Sequence, residues 1–427
     1  MKGKRIAWTL GSLAFGAALI NGVWRTSDLG KAAGDLDRQR AAAKREGVPM
    51  EWDDLRRLAP PIPLADNAAV AYARAFAALK ASGGLKGVKP ETLMKEIAAG
   101  TAKPADLALL RAGLAKAAPA LAEAREGSQR QGFSFDRKWE LGSALTFPEY
   151  ADERGLVRAF VLRAMIAKSP PEAADDLRTA ARMRAHFGSE PVLIGALVGN
   201  GVETDVHRGI RAIGRRGGAW AQAVAPVLDD LGPIPLLQRS LACEAAFGNQ
   251  FTDELEKSGP GAFFPTDVEG TSTPVAFRLA RFRPVREAYQ SRVVEFWRGA
   301  WAALPTDPTD FRAASAALKI PSGGGLSYAM LDFLMPVFDN FAVTNAKTEA
   351  NRRLTRAALD LWSGRTPVLA KDPFGAGPLR LKRTGREWTL YSVGLDGLDD
   401  GGKPQKKSSD PRYDIAVDSK GLLKEGR

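Results

Sequence analysis

Nineteen consecutive uncharged residues, Ile6 to Trp24, follow the basic tip Lys2, Lys4 and Arg5 and end at Arg25. At a helical rise of about 1.5 Å per residue the run spans about 28 Å, close to the hydrocarbon thickness of a bilayer. It is therefore expected to cross once, with the lipid bilayer as its partner. The positive cluster on the N-terminal side keeps that end in the cytoplasm and sends everything after Trp24 outside. Trp8 and Trp24 lie near the two ends, where aromatic rings favour the interface. The competing reading is a cleaved signal peptide, because Gly16-Ala17-Ala18 offers small residues to a signal peptidase. The apolar run continues past that site, which favours the anchor. No Cys follows it, so a lipoprotein anchor is excluded.

What lies beyond the anchor is rich in Ala, Leu and Arg, with only 8% aromatics overall, a composition suited to closely packed helices more than to sheets. The fold class expected is mainly α. Lys and Arg outnumber Asp and Glu by 61 to 49, giving a net charge of +12. The excess is scattered, with no basic block, zinc spacing or aromatic RNA-binding pattern, so no nucleic-acid partner is expected. Cys243 is the sole cysteine, which excludes an intramolecular disulfide and any multi-thiolate metal site. Its neighbours, Leu241 to Phe247, are mostly apolar and point to a buried structural thiol.

Residues 25–66 are charged and Ala-rich, broken at Gly47-Val48-Pro49 and again at Pro60, Pro61 and Pro63, and read as a stalk. Asp66 or Asn67 is placed to cap a helix over Ala68 to Lys80. Residues 67–340 form the expected α-helical body of antiparallel hairpins. Its clearest unit is a helix over Leu156 to Ala167, a Ser169-Pro170-Pro171-Glu172 turn, then helices over Ala173 to Phe187 and Pro191 to Ile213. Ser169 at the N-cap and proline at the first helical positions predict that turn. The Ala and Leu spacing across it resembles one period of a tetratricopeptide-type hairpin, without its aromatic markers, and implies antiparallel packing.

Further on, Gly259 to Pro274 reads as a loop preceding a basic aromatic helix over Val275 to Trp301. Val285, Tyr289, Val293, Phe296 and Ala300 share one face of it, while Arg278, Arg281, Arg283, Arg286, Arg292 and Arg298 crowd the same segment. The face fits the protein core best; the alternative lays the helix on anionic lipid.

With two histidines in the chain, most His-dependent mechanisms lack their parts. Glu203 lies one turn before His207, so the two share a face, and His186 across the hairpin could join them in a metal or acid/base cluster. A helix-surface pair is the commoner outcome. Asp175 with Asp176 and Asp229 with Asp230 are adjacent on helices, point in different directions and are expected to be solvated. No phosphate-cradling, dinucleotide, nucleophile-elbow or zinc-protease motif occurs.

A long helix over Phe341 to Trp362 opens the last expected unit, 341–427. Leu379 to Lys382 and Trp388 to Val393 alternate as strands about Thr384-Gly385-Arg386, and Tyr413 to Val417 is placed to add a third. Asp372-Pro373-Phe374-Gly375, Pro378-Leu379, Tyr391 to Gly397, Gly401-Gly402 and Asp414-Ile415 then follow in an order that resembles the C-terminal part of type II secretion major pseudopilins. The resemblance covers about the last eighty residues, and the chain as a whole resembles membrane-anchored bacterial envelope proteins with a similar tail. It implies calcium as the one cofactor, held by Asp396, Asp399 or Asp400, and Asp414, with loop carbonyls completing the shell. Lys403, Lys406 and Lys407 in the same loop oppose that charge, and the anchor lacks the Glu of pilin-type segments. The expected function is binding or scaffolding in the cell envelope, without catalysis, alongside an envelope or secretion-system protein. The alternative is an exported hydrolase acting on an envelope polymer.

Overall fold

Asn67 ends an extended stretch and starts a helix by accepting a hydrogen bond on Oδ1 from Ala69 N, 3.0 Å, while its Nδ2 donates to the Ser134 carbonyl. Most other described helix starts lack such a side-chain cap, and several carry proline in the first turn instead. The computed structural model describes residues 28–258, 282–320, 338–403 and 413–421. The expected anchor Ile6 to Trp24, the loop 259–274, Arg278, Arg281, Lys406 and Lys407 lie outside them. Among the described residues no helix is long and apolar enough to cross a membrane.

Among the described residues the chain is mainly helical with one small antiparallel sheet. The first helices are α1 (Asp28–Arg45), α2 (Trp52–Leu58), α3 (Ala68–Ala81), α4 (Pro90–Ala99), α5 (Pro104–Lys116) and α6 (Ala118–Ser128), followed by a 3-10 turn over Trp139–Ala144. The middle holds α7 (Glu149–Met165), α8 (Pro170–Phe187), α9 (Leu193–Gly214), α10 (Gly218–Val224), α11 (Val227–Asp230), α12 (Leu237–Ser240) and α13 (Ala242–Ser258). Then come α14 (Arg283–Ala303), α15 (Phe311–Ala317), α16 (Phe338–Trp362) and strands β1 (Arg380–Thr384), β2 (Glu387–Ser392) and β3 (Ile415–Asp418).

The hairpin α7–α8–α9 forms the middle of the molecule. Pro170 opens α8 at its first turn, and Ser169 sits at the N-cap in extended backbone, although its hydroxyl makes no capping bond. Small residues let these helices approach closely: a Cβ on Gly209 of α9 would stand 2.9 Å from both Leu177 and Val161. Buried Leu156, Phe160, Leu177, Phe187, Val206 and Ile210 fill this first core, which extends to Tyr72 of α3 and Leu121 of α6.

A second core joins α14, α16 and the sheet. The segment expected to be a stalk contributes to it: Ala43 and Val48 are buried there, and Glu46 takes Arg298 of α14. Tyr289, Val293, Phe296 and Ala300 face inward, while Arg283 and Arg292 pair with Glu287 and Glu295 on the same helix. The expected core face is buried apart from half-buried Val285, and Arg286 is buried with it, 7% exposed. The second core runs through residue 341: Val293, Phe338, Phe341 and Leu390 all belong to it.

Strand order is β1-β2-β3, with Leu381 opposite Leu390 and Leu390 opposite Val417. Apolar side chains in register turn one face onto α16. Trp362 lies 5.5 Å from Trp388 with the rings tilted by 52°, and it donates from Nε1 to the Ser419 carbonyl, 3.1 Å, tying helix to sheet.

Candidate functional site

The Glu203–His207 pair lies in the centre of the molecule, where the sequence favours a helix surface. Glu203 is 0% and His207 1% exposed. The one-turn spacing on α9 holds: His207 Nε2 stands 3.3 Å from Glu203 Oε1. The partners come from elsewhere in the chain. Arg184, in the last turn of α8, places Nε 2.7 Å from Glu203 Oε2. Arg352 on α16 donates from Nε to Oε1 and from Nη2 to Oε2, the latter at 2.9 Å, and its Nη1 reaches the Gly232 carbonyl at 2.7 Å. Burial alone would raise the Glu203 pKa, but Arg184, Arg352 and His207 together hold it well below the usual carboxylate range. Burial lowers that of His207, so the ring is neutral against a paired carboxylate.

Glu153 of α7 is the odd member of this interior. It is fully buried and neither carboxyl oxygen has a hydrogen-bond partner. Burial raises its pKa far above the ordinary 4.5, against the pull of Arg184. The folded chain keeps a proton that the unfolded chain releases near pH 4.5. Its contribution to stability is therefore complete below that pH and is lost as pH rises toward the folded pKa, at about 1.4 kcal/mol per pH unit. Urea midpoints of the natural chain should accordingly fall against those of Glu153→Gln between acid and neutral pH; a constant difference would refute the assignment.

His186 does not join Glu203 and His207. Its Nδ1 lies 2.8 Å from the Tyr72 hydroxyl, and its ring stacks at 5.6 Å on Phe133. Burial pushes it down to about 4. The adjacent aspartates also divide. Asp175 is exposed and paired with Arg178, whereas Asp176, expected to be solvated, is 4% exposed and gripped by Arg125 and Arg163. Asp229 is exposed beside Arg356, and Asp230 takes Arg178 and Arg182. Burial raises the Cys243 thiol, consistent with an unreactive side chain. A further buried cluster gave no sequence signal: Arg137 holds Glu190 at 2.8 Å while stacking over Phe135 and Phe147.

The C-terminal loop brings acids together in part. Gly394, Gly397, Gly401 and Gly402 all adopt positive φ and let the chain double back over the end of β2. Asp414 is fully buried and accepts from Gly402 N at 2.7 Å on Oδ2, leaving Oδ1 without a partner. Burial raises its pKa, and the nearby charges of Asp399 and Asp400 add to the rise. Asp396 Oδ2 and Asp400 Oδ2 are likewise buried and unpaired. Asp399 is engaged differently, 3.1 Å from Arg380 of β1. Among the described residues no three His, Cys, Asp or Glu side chains stand together as a metal-holding group. Asp400 and Asp414 each keep one buried carboxyl oxygen without a partner, and carboxylates are hard donors of the kind calcium or magnesium takes.

Among the described residues the helical body carries, beside a cleft of about 610 Å³ lined by Arg125, Arg163 and Asp176, two larger clefts. One, of about 670 Å³, lies between α11 and α16 and the segment 365–370. Its carboxylates are each held by a guanidinium: Asp229 by Arg356, Glu349 by Arg353 and Asp360 by Arg365. The other, of about 1120 Å³, lies between α1–α2 and α12–α13. There Asp53 pairs with Arg56, and Asp54 with Arg57. The carboxyls with raised pKa, Glu153, Glu244 and Asp414, line neither cleft. Compared with protein-family models, curated proteins and solved structures, the chain matches none.

Proposed function

We propose that this chain is a non-enzymatic cell-envelope protein, anchored in the membrane through Ile6 to Trp24, whose helical body binds or scaffolds a partner. The carrying observation is the state of the acids in the arginine cleft: Asp229, Glu349 and Asp360 are each neutralised by an arginine. A general acid needs an unpaired carboxyl at the reacting atom, whereas carboxylates committed to guanidinium pairs fix arginine charge for a partner. That distribution supports binding over polymer hydrolysis. Crosslinking in native membranes, followed by purification through an epitope after Arg427, tests the reading. Reproducible recovery of one envelope or secretion-machine protein supports it; polymer-cleaving activity in the purified chain overturns it.

The resemblance of residues 372–415 to pseudopilins adds a second element. Asp400 and Asp414, with Asp396 at the loop's other end, would hold a calcium ion whose remaining ligands, about six to eight in all, are loop carbonyls and water. The ion would neutralise carboxylates whose oxygens are buried and unpaired. Because it binds only the folded loop, saturating calcium should raise stability by about 2.7 kcal/mol at a hundredfold excess over Kd. The measurement is thermal unfolding with calcium, with chelator and in Asp414→Asn. A midpoint indifferent to calcium removes the ion and leaves the scaffold reading standing.

A further inference from the structure

We infer that the cleft between α11 and α16 binds a small phosphate-headed molecule carrying an apolar group. Its volume of about 670 Å³ is within the range that encloses a ligand of metabolite size. Residues 349, 353, 356 and 360 recur along one face of α16, and with Arg352 and Arg365 they set four guanidiniums around one space.

Three of these arginines, Arg353, Arg356 and Arg365, retain donors. Arg352 is consumed by Glu203 and Gly232, and its rigid seating fixes the charge at the cleft floor. Arg353 commits Nε to Glu349 and Nη1 to the Lys371 carbonyl, leaving Nη2. Arg356 commits one Nη to Asp229, and Arg365 commits Nε and Nη2 to Asp360. The Arg356–Asp229 pair is the weakest, with side-chain exposures of 56% and 71%, and pairs so exposed contribute little. A phosphate can therefore take the remaining N–H groups of Arg353, Arg356 and Arg365 without breaking a strong bond. Its oxygens match the planar guanidinium fork, and their number suits three converging donors better than a carboxylate does.

Apolar side chains also line the cleft: Leu228 and Leu359 are buried, Ala370 is half-buried, and Val368, 79% exposed, stands at its rim. A hydrocarbon group laid on Val368 and Ala370 would cover surface now left in water. Head and tail surfaces together define the ligand class.

Isothermal titration of the full chain in uncharged detergent, with octyl phosphate below its micelle concentration, tests the inference. Octyl phosphate should bind one per chain, inorganic phosphate more weakly, and octyl glucoside not at all. Arg356→Gln with Arg365→Gln should lower affinity on the order of tenfold or more through lost charge-assisted bonds. Val368→Asp, at a position too exposed to affect folding, should weaken binding as well. A short-chain phosphatidic acid that competes points to a lipid headgroup, and one that does not points to a soluble phosphate ester; either keeps the ligand class. Equal binding of octyl glucoside, no binding of octyl phosphate, or unchanged affinity in both variants overturns it.

Discussion

Glu203→Gln should lower the unfolding free energy by about 3–5 kcal/mol, because it leaves Arg184 and Arg352 charged and uncompensated in the interior. Arg184 is 1% exposed and has no water to fall back on, so its remaining bonds to the Leu231 and Pro233 carbonyls must carry the whole charge. Gln keeps the shape of Glu, so packing changes little and the loss reports electrostatics. A double variant, Glu203→Gln with Arg352→Gln, should recover part of the loss by removing one stranded charge. Urea unfolding followed by far-ultraviolet circular dichroism reads both. A single-variant loss below about 1 kcal/mol would mean that the guanidiniums find other partners and the hub is not held as described.

That hub also marks the border of what a linear reading sees. The one-turn spacing of Glu203 and His207 is visible in the sequence, but spacing alone leaves the face either wet or dry. The decision rests with Arg184 and Arg352, which reach Glu203 from 19 and 149 residues away and carry no local mark of that destination. Glycine was the usable signal. Gly209, two residues past His207, is where α7 and α8 come too close for a Cβ, so that stretch of α9 is enclosed. The same blindness affected Asp176 and residues 28–45. Charge patterning suggested solvent for both, yet Arg163 and Arg125 enclose the first and α14 covers the second.

Where local chemistry decides, the reading was close. Proline after Ser169 set the start of α8, and alternation about Gly385 set β1 and β2, with the third strand over Ile415–Asp418. Hairpin turns and helix starts are made by neighbours in sequence, so neighbours reveal them. In the acidic loop, the glycines marked its path and the aspartates its chemistry, but the capture of Asp399 by Arg380 depends on the β1–β2 register. Sequence order alone therefore offered four acids where the folded loop leaves three with unpaired oxygens.

Asp372→Ala should be the most damaging change in the C-terminal module. The Asp372-Pro373-Phe374-Gly375 segment carries the resemblance to pseudopilins, and Asp372 shows the physical work such a segment does. Its carboxyl is 1% exposed and accepts from Phe374 N at 3.0 Å, Ser392 Oγ at 2.6 Å and Val393 N at 2.8 Å. These bonds fasten the segment leading from α16 to the end of β2, one residue before Gly394, whose positive φ starts the acidic loop. Alanine leaves two buried backbone donors and a hydroxyl unsatisfied, at a cost of about 2–4 kcal/mol. Because Asp414 lies beyond that loop, loosening Val393 should also free the Gly402–Asp414 contact. Amide exchange localises the effect: protection should fall across residues 387–402 and 413–418 while α7–α9 keep theirs. Asp372→Asn, which keeps one acceptor, should recover part of the loss. Uniform loss of protection across both cores would instead show that the module and the helical body unfold as one unit.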